Sequence, residues 1–217
     1  MFIGHFALGL AAKRAAPQLS LAALFAAAQL ADMMWPVLLL AGLEEVRILP
    51  GINGITPLEF VSYPYSHSLV LLVVWGMAFG WFARRHDPRA FVIITALVVS
   101  HWVLDFITHR PDMPLYPGGA KFGLGLWFSL IGTVAVEVPM FLAGVWIYLQ
   151  TTRPKDRTGM AAISILLALL LVIYAGNVIS QAPPPSPTAV ALVSLIGACL
   201  ITAWAGWADR HREVVLS

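Results

Sequence analysis

The chain has 217 residues, 59% of them hydrophobic and 11% charged, with a formal net charge of +2 and a mean hydropathy of +0.82. A water-soluble domain carries about 25% charged residues, so this balance excludes an ordinary soluble protein and points to a bilayer as solvent. Basic residues lie in short loops rather than in a patch, which argues against a nucleic-acid partner.

In chain order, the first segment is "MFIGHFALGLAAKRAAPQ". A cleaved signal peptide carries its positive charges before the apolar region, whereas Lys13 and Arg14 follow it. The segment reads as a retained, short, membrane-embedded helix, too short to span and therefore tilted or re-entrant. Six longer helices follow, near 18–43, 66–83, 90–109, 123–150, 160–181 and 188–207. The breaks are 49–57, 84–89, 110–119, 151–157 and 182–187, all containing Pro, Gly or both. The expected fold is an all-α polytopic transmembrane bundle forming a single integral membrane domain, 1–217. There is no internal repeat. The connection 44–66 is the longest and leaves room for a small lid.

Lys13/Arg14, Arg84/Arg85/Arg89, Arg153/Lys155/Arg157 and Arg210/Arg212 fall at every second helix boundary. Cytoplasmic loops carry the Lys/Arg excess, so this set and the C-terminus are expected on the cytoplasmic side.

The segment 100–112, "SHWVLDFITHRPD", places His101, Asp105 and His109 four residues apart on one face of an apolar helix. With about 1.5 Å of rise per residue, His101 lies roughly 18 Å and Asp105 roughly 24 Å above the cytoplasmic end. Asp32 comes out roughly 21 Å above residue 18, and His67 roughly 25 Å above Arg84. Four candidate ligands from three helices thus share the outer half of the bilayer. His5, roughly 12 Å above Lys13, joins them if its segment is tilted or re-entrant. An unpaired carboxylate in hydrocarbon is costly, and a bound divalent cation offsets that cost while accepting imidazole nitrogen. Zn, Mn or Fe fits such donors. Cys199 lies in an apolar run and reads as a small apolar side chain, so a closed finger-type zinc site is not expected. A plain His–Asp ion pair has the same spacing as a metal pair, and a membrane His often serves as an interhelical hydrogen-bonding group. His109, next to Arg110 at the mouth, suits a ligand or a proton shuttle.

Other polar residues carry less. Glu137 stands alone in its helix, near Pro139, and fits either a partner of the metal site or a structural role. Asn177 and Gln181 read as interhelical hydrogen-bonders. Trp127, Trp146, Tyr148 and Tyr174 read as interfacial anchors. His86 and His211, flanked by charges, read as solvated loop residues. The "APPPSP" turn at 182–187 reads as a stiff extended connector.

Four elements, "GHFALG" (4–9), "LADMMWP" (30–36), "YSHSL" (65–69) and "HWVLDFITH" (101–109), stand in the order seen in the YdjM-like family of inner-membrane proteins. That family is described as membrane-bound, metal-dependent hydrolases, and the likeness covers most of the first 120 residues. Asp32 is the lone acid where the family often has two, and Tyr65–Ser66 replace a basic residue and a Thr. The resemblance implies a bacterial inner-membrane location and a divalent metal site, Zn ahead of Mn or Fe, with His5, Asp32, His67, His101 and Asp105 as ligands. Asp105 and His109 would carry catalysis on a lipid-like ester or phosphoester drawn from membrane lipid. Arg110 and Lys121 would hold an anionic headgroup. Two other readings remain open: a metal-ion or proton-coupled transporter, and a non-catalytic scaffold subunit.

Overall fold

The computed structural model describes residues 1–85, 87–180 and 182–215. Five of its α-helix starts are set by short polar residues whose side chains accept free N–H groups of the first turn. Ser20 opens α2 (Leu21–Ala28) after the short α1 (Ile3–Ala15), and α3 (Leu30–Leu40) follows at once. A hairpin of β1 (Glu45–Ile48) and β2 (Leu58–Ser62) leads to α4 (Leu69–Ala83). Asp87, followed by Pro88, opens α5 (Pro88–Thr108); proline's missing N–H costs nothing at that position. A two-residue ladder of β3 (Met113–Pro114) and β4 (Lys121–Phe122) precedes α6 (Leu130–Thr151), which Ser129 caps. Then come β5 (Thr152–Pro154), α7 (Arg157–Ile179) capped by Asp156, α8 (Pro187–Arg210) capped by Ser186, and β6 (Arg212–Val214), which pairs with β5.

The all-α bundle is as expected, but its helices are less uniform than six long spans. Among the described residues, α5, α6, α7 and α8 are long and apolar enough to cross a membrane, and the pair α2/α3 adds a fifth if counted as one bent span. That pair replaces the single helix expected at 18–43: it bends by 58° at Gln29, with no Gly or Pro there. The cause lies on another helix. Nδ1 of His101 donates to the Ala28 carbonyl at 2.8 Å, and a side chain inserted into the backbone ladder bends a helix. The second expected helix, 66–83, starts three residues later at Leu69, so His67 sits in the turn before it. The fourth, expected from 123, starts at Leu130. The left-handed Gly125 (φ 73°) and a 3₁₀ turn at Leu126–Phe128 take up the residues before it.

Helix α1 is the inner element. Ile3, His5, Phe6, Ala7 and Leu10 are all buried, because α6, α2 and α5 pack around it. Close approach to α6 is possible since Gly144 faces the Ala7 backbone, where a Cβ would come within 2.4 Å of the carbonyl oxygen. Tyr148 and Tyr174, expected at the interface, are buried in the core between α1, α6, α7 and α8. The outer surface is apolar, with Ile131, Ile179 and Val193 well exposed, as a lipid-facing bundle requires.

Polar contacts gather the basic segments at one end. Lys13 Nζ and the Tyr148 hydroxyl both meet Asp209, at 2.7 and 2.9 Å. Gln18 bonds Asp87 at 2.8 Å, Arg212 bonds Thr152 at 2.9 Å and His211 pairs with Asp156 at 2.9 Å. The β1/β2 hairpin and the 110–127 segment meet at the opposite end, through Arg110–Glu59 and Lys121 to the Val61 carbonyl. His86 and Gln181 lie outside the described residues.

Helices α4 and α5 touch through Gly76 and Gly80, a small-xxx-small face. A Cβ on Gly80 would lie 2.7 Å from the Phe91 carbonyl oxygen, whereas one on Gly197 would meet nothing within 4 Å. Gly80→Ala is therefore expected to cost about 1–3 kcal/mol by overpacking. Gly197→Ala should be neutral or slightly stabilising through helix propensity. Thermal unfolding of both variants in the same detergent checks the contrast; equal melting temperatures would contradict the packing.

Candidate metal centre

Six side chains from separate parts of the fold meet near the end of the bundle that carries the hairpin. His5 comes from the first turns of α1 and Asp32 from the first turn of α3. His67 comes from the turn before α4, His101 and Asp105 from one face of α5, and His109 from the residue that ends α5. The break between α2 and α3 gives Asp32 a helix N-terminus, where the aligned peptide dipoles favour a carboxylate. All but Asp32 are buried; the Asp32 side chain is 43% exposed.

Asp105 is the hub. Its Oδ1 accepts from the Met1 amino group and lies 3.0 Å from His5 Nε2. Its Oδ2 lies 3.1 Å from His101 Nε2, 3.8 Å from His67 Nε2 and 3.9 Å from His109 Nε2. Asp32 Oδ1 lies 3.6 Å from His67 Nε2 and 3.7 Å from His101 Nε2. Two donor triads result, His5–His101–Asp105 and Asp32–His67–His101, each with its ligand atoms within 4.8 Å of one another. Two ligands held at about 2.1 Å by one ion are themselves about 3.0–4.2 Å apart, so these separations match the edges of a coordination polyhedron.

Proton positions follow from the other ring nitrogens. His101 Nδ1 faces the Ala28 carbonyl, which can only accept, so Nδ1 carries the proton. His67 Nδ1 lies 2.7 Å from Ser66 Oγ, whose own proton goes to Glu44 Oε2 at 2.7 Å, so His67 Nδ1 also donates. His109 Nδ1 lies 3.1 Å from the Asp112 carboxylate and donates there too. In neutral imidazoles, three Nε2 lone-pair atoms then lie within 3.9 Å of the same carboxylate oxygen, a repulsive arrangement unless a cation lies among them. His101 Nε2 is buried and, although 3.1 Å from Asp105, makes no aligned hydrogen bond. His5 Nδ1 is buried and unpartnered as well. The donor set therefore fits a divalent ion. Imidazoles fixed through the remote nitrogen are the arrangement that metal ligation uses.

The outer ring was not foreseen from sequence. Asp112 accepts from Tyr63 Oη at 2.6 Å and from Arg110 Nε at 3.2 Å. Against its burial, the hydrogen bonds from His109 and Tyr63 and the Arg110 charge hold the Asp112 carboxyl below the usual range. Burial and the same carboxylate push the Tyr63 hydroxyl up. Glu44 binds the Tyr65 and Ser66 amides as well as the Ser66 hydroxyl, locking the turn that carries His67. The hairpin covers the cluster: Phe60 packs on His109 and Tyr63 on His67. The local signals were an acid three residues after His109 and a hydroxyl beside His67.

Glu137 takes the structural role. Its Oε2 accepts from the amides of Phe2 at 2.9 Å and Gly4 at 3.4 Å, capping α1 and holding His5 in place. Arg110 is spent on Glu59 and Asp112, and Lys121 is exposed and bonded to the Val61 carbonyl. A cavity of about 360 Å³ opens beside Asp32, and neither of these two cations lines it. Trp127 joins the site by packing on His109, with ring centroids 4.3 Å apart.

These features define a class: an apolar helical membrane bundle with a buried His/Asp cluster capable of holding a divalent metal. No family model, curated protein or solved structure matches the chain.

Ser66→Ala removes the acceptor that orients His67 without touching a ligand. Divalent-metal affinity is expected to fall roughly 10- to 100-fold, read by zinc titration against a competing chelator. Unchanged affinity would show that Ser66 does not set the His67 ring.

Proposed function

We propose that the chain is a membrane-bound, metal-dependent hydrolase acting on an ester or phosphoester of a lipid-like substrate. The observation that carries this reading is the convergence of three Nε2 atoms, each with its Nδ1 tied down, on Asp105. His5, Asp32, His67, His101 and Asp105 would hold the ion. A zinc-, manganese- or iron-type ion bound there supplies Lewis-acid polarisation and a bound water of lowered pKa. The protein's part is to hold the imidazoles oriented, to cover the cluster with the hairpin, and to leave Asp32 open to the cavity. His109, paired with Asp112 in a His–carboxylate dyad, stands where it can pass a proton between cluster and mouth. The likeness to the YdjM-like family supports the same assignment. The clustering of basic residues at one end of the bundle supports an orientation in a bacterial inner membrane with the C-terminus in the cytoplasm and the cluster toward the outer face.

A proton or ion conduit is less well supported. Such a path needs polar groups continuing through the bilayer. Between the cluster and Lys13 at the basic end, the buried residues of α1, α2 and α5 are apolar or glycine, among them Phe6, Leu10, Leu24, Ile94 and Val98.

Asp105→Asn keeps volume and hydrogen-bonding capacity while removing the hub's charge. Metal content should drop from near-stoichiometric to trace, and ester or phosphoester hydrolysis should fall in step. The substitution leaves the buried Met1 amino group without its counter-charge, so thermal unfolding of both metal-free forms is measured alongside to separate loss of folded protein from loss of metal. Equal metal in both proteins, or none in either, overturns the hydrolase reading.

A further inference from the structure

The cavity beside Asp32 has a chemistry of its own. At about 360 Å³ it falls within the size of ligand pockets, about 300–1,000 Å³. Two of its wall residues, Trp127 and Tyr174, carry donors that are buried and lack any hydrogen-bond partner among the described residues: the indole Nε1–H and the phenolic hydroxyl. Tyr174 is only 6% exposed. Buried polar groups are nearly always paired, so two idle donors on residues that line one cavity call for an acceptor that arrives from outside.

The charges of the wall point the same way. Its acids are Asp32 and Glu137, and Glu137 is already committed to the amides of α1. No Lys or Arg lines the cavity among the described residues; its one wall cation is the Met1 amino group, which is paired with Asp105 and lies near Glu137. A divalent ion held by Asp32 and Asp105 would be neutralised by those two carboxylates, and Glu137 offsets the Met1 amino group, leaving no surplus positive charge. An anionic headgroup would therefore lose its hydration with no counter-charge to replace it. The hairpin side, through Ile55, Leu58 and Phe60, is apolar and suits the start of an acyl chain.

We infer that this cavity binds the uncharged, oxygen-bearing head of an amphiphile, a neutral acyl ester rather than an anionic phospholipid. Tyr174 and Trp127 donate to its carbonyl or hydroxyl oxygens. The inference rests on the metal-site reading for what happens to the ester afterwards, but its binding claim stands separately.

The test is binding to the purified full chain in a neutral detergent, by titration with 1-octanoylglycerol and with dioctanoyl phosphatidate. Both are run on zinc-loaded and on chelator-treated protein, with metal content measured in parallel. The neutral ester is expected to bind at least roughly 10-fold more tightly than phosphatidate. Tyr174→Phe should weaken it roughly 2- to 10-fold by removing one donor, and Trp127→Phe should do the same, so the test survives if one variant fails to fold. Trp146→Phe, on the outer surface at 64% exposure, should leave binding unchanged. Phosphatidate binding as tightly as the ester, or full affinity in both donor variants, overturns the inference. Protein that holds no metal yet shows the donor-dependent preference refutes the metal reading alone. Protein that holds metal without the preference refutes the cavity inference alone.

Discussion

The bond from His101 Nδ1 to the Ala28 carbonyl organises much of what lies around it. It fixes the ring of a wholly buried histidine, so that Nε2 lies beside Asp105 and Asp32. It marks the point where α2 gives way to α3, and the break supplies the helix N-terminus at which Asp32 sits. A continuous helix from Ser20 onward would point Asp32 elsewhere and leave its charge without that dipole. One hydrogen bond between two helices thus shapes both halves of the cluster, and the two donor triads share His101 for that reason.

The remaining pieces repeat the device with different acceptors. Ser66 and Glu44 hold His67, and Asp112 holds His109 with help from Tyr63 and Arg110. His5 is held by the whole of α1, which Glu137 anchors from α6 at its first amides. Burying a 13-residue helix inside the bundle is what lets a residue so near the chain start reach α5. The small residues that admit it, such as Gly144, serve the site indirectly.

How much of this the sequence carried depended on whether the signal was periodic. The four-residue spacing of His101, Asp105 and His109 needs only helical geometry, and the structure places all three side chains in one cluster. Counting rise per residue brought Asp32 and His67 to the same depth even though neither helix was drawn correctly, because depth tolerates an error of a turn. The bend at Gln29 was not legible, since its cause is an imidazole from a helix some seventy residues away. Glu44, Ser66, Tyr63 and Asp112 were missed because loops carry no period and their roles depend on closure of the hairpin. Tyr148 and Tyr174 were misread for a related reason: the interfacial preference of tyrosine lost to packing against the inner helix, with Tyr148 finding Asp209 as its partner.

The chemistry of the cluster narrows to one question: whether the space among the Nε2 atoms and the two carboxylates is filled by protons or by an ion. X-ray absorption at the metal edge of the purified, zinc-loaded chain answers it most directly. The account predicts a shell of nitrogen and oxygen only, at about 2.0–2.2 Å, with the outer-shell scattering of several imidazoles and a loss of imidazole signal in His101→Ala. Cys199 is far along the chain on α8 and exposed, so sulfur is not expected. A sulfur shell, or a zinc spectrum indistinguishable from the hydrated ion, would contradict it.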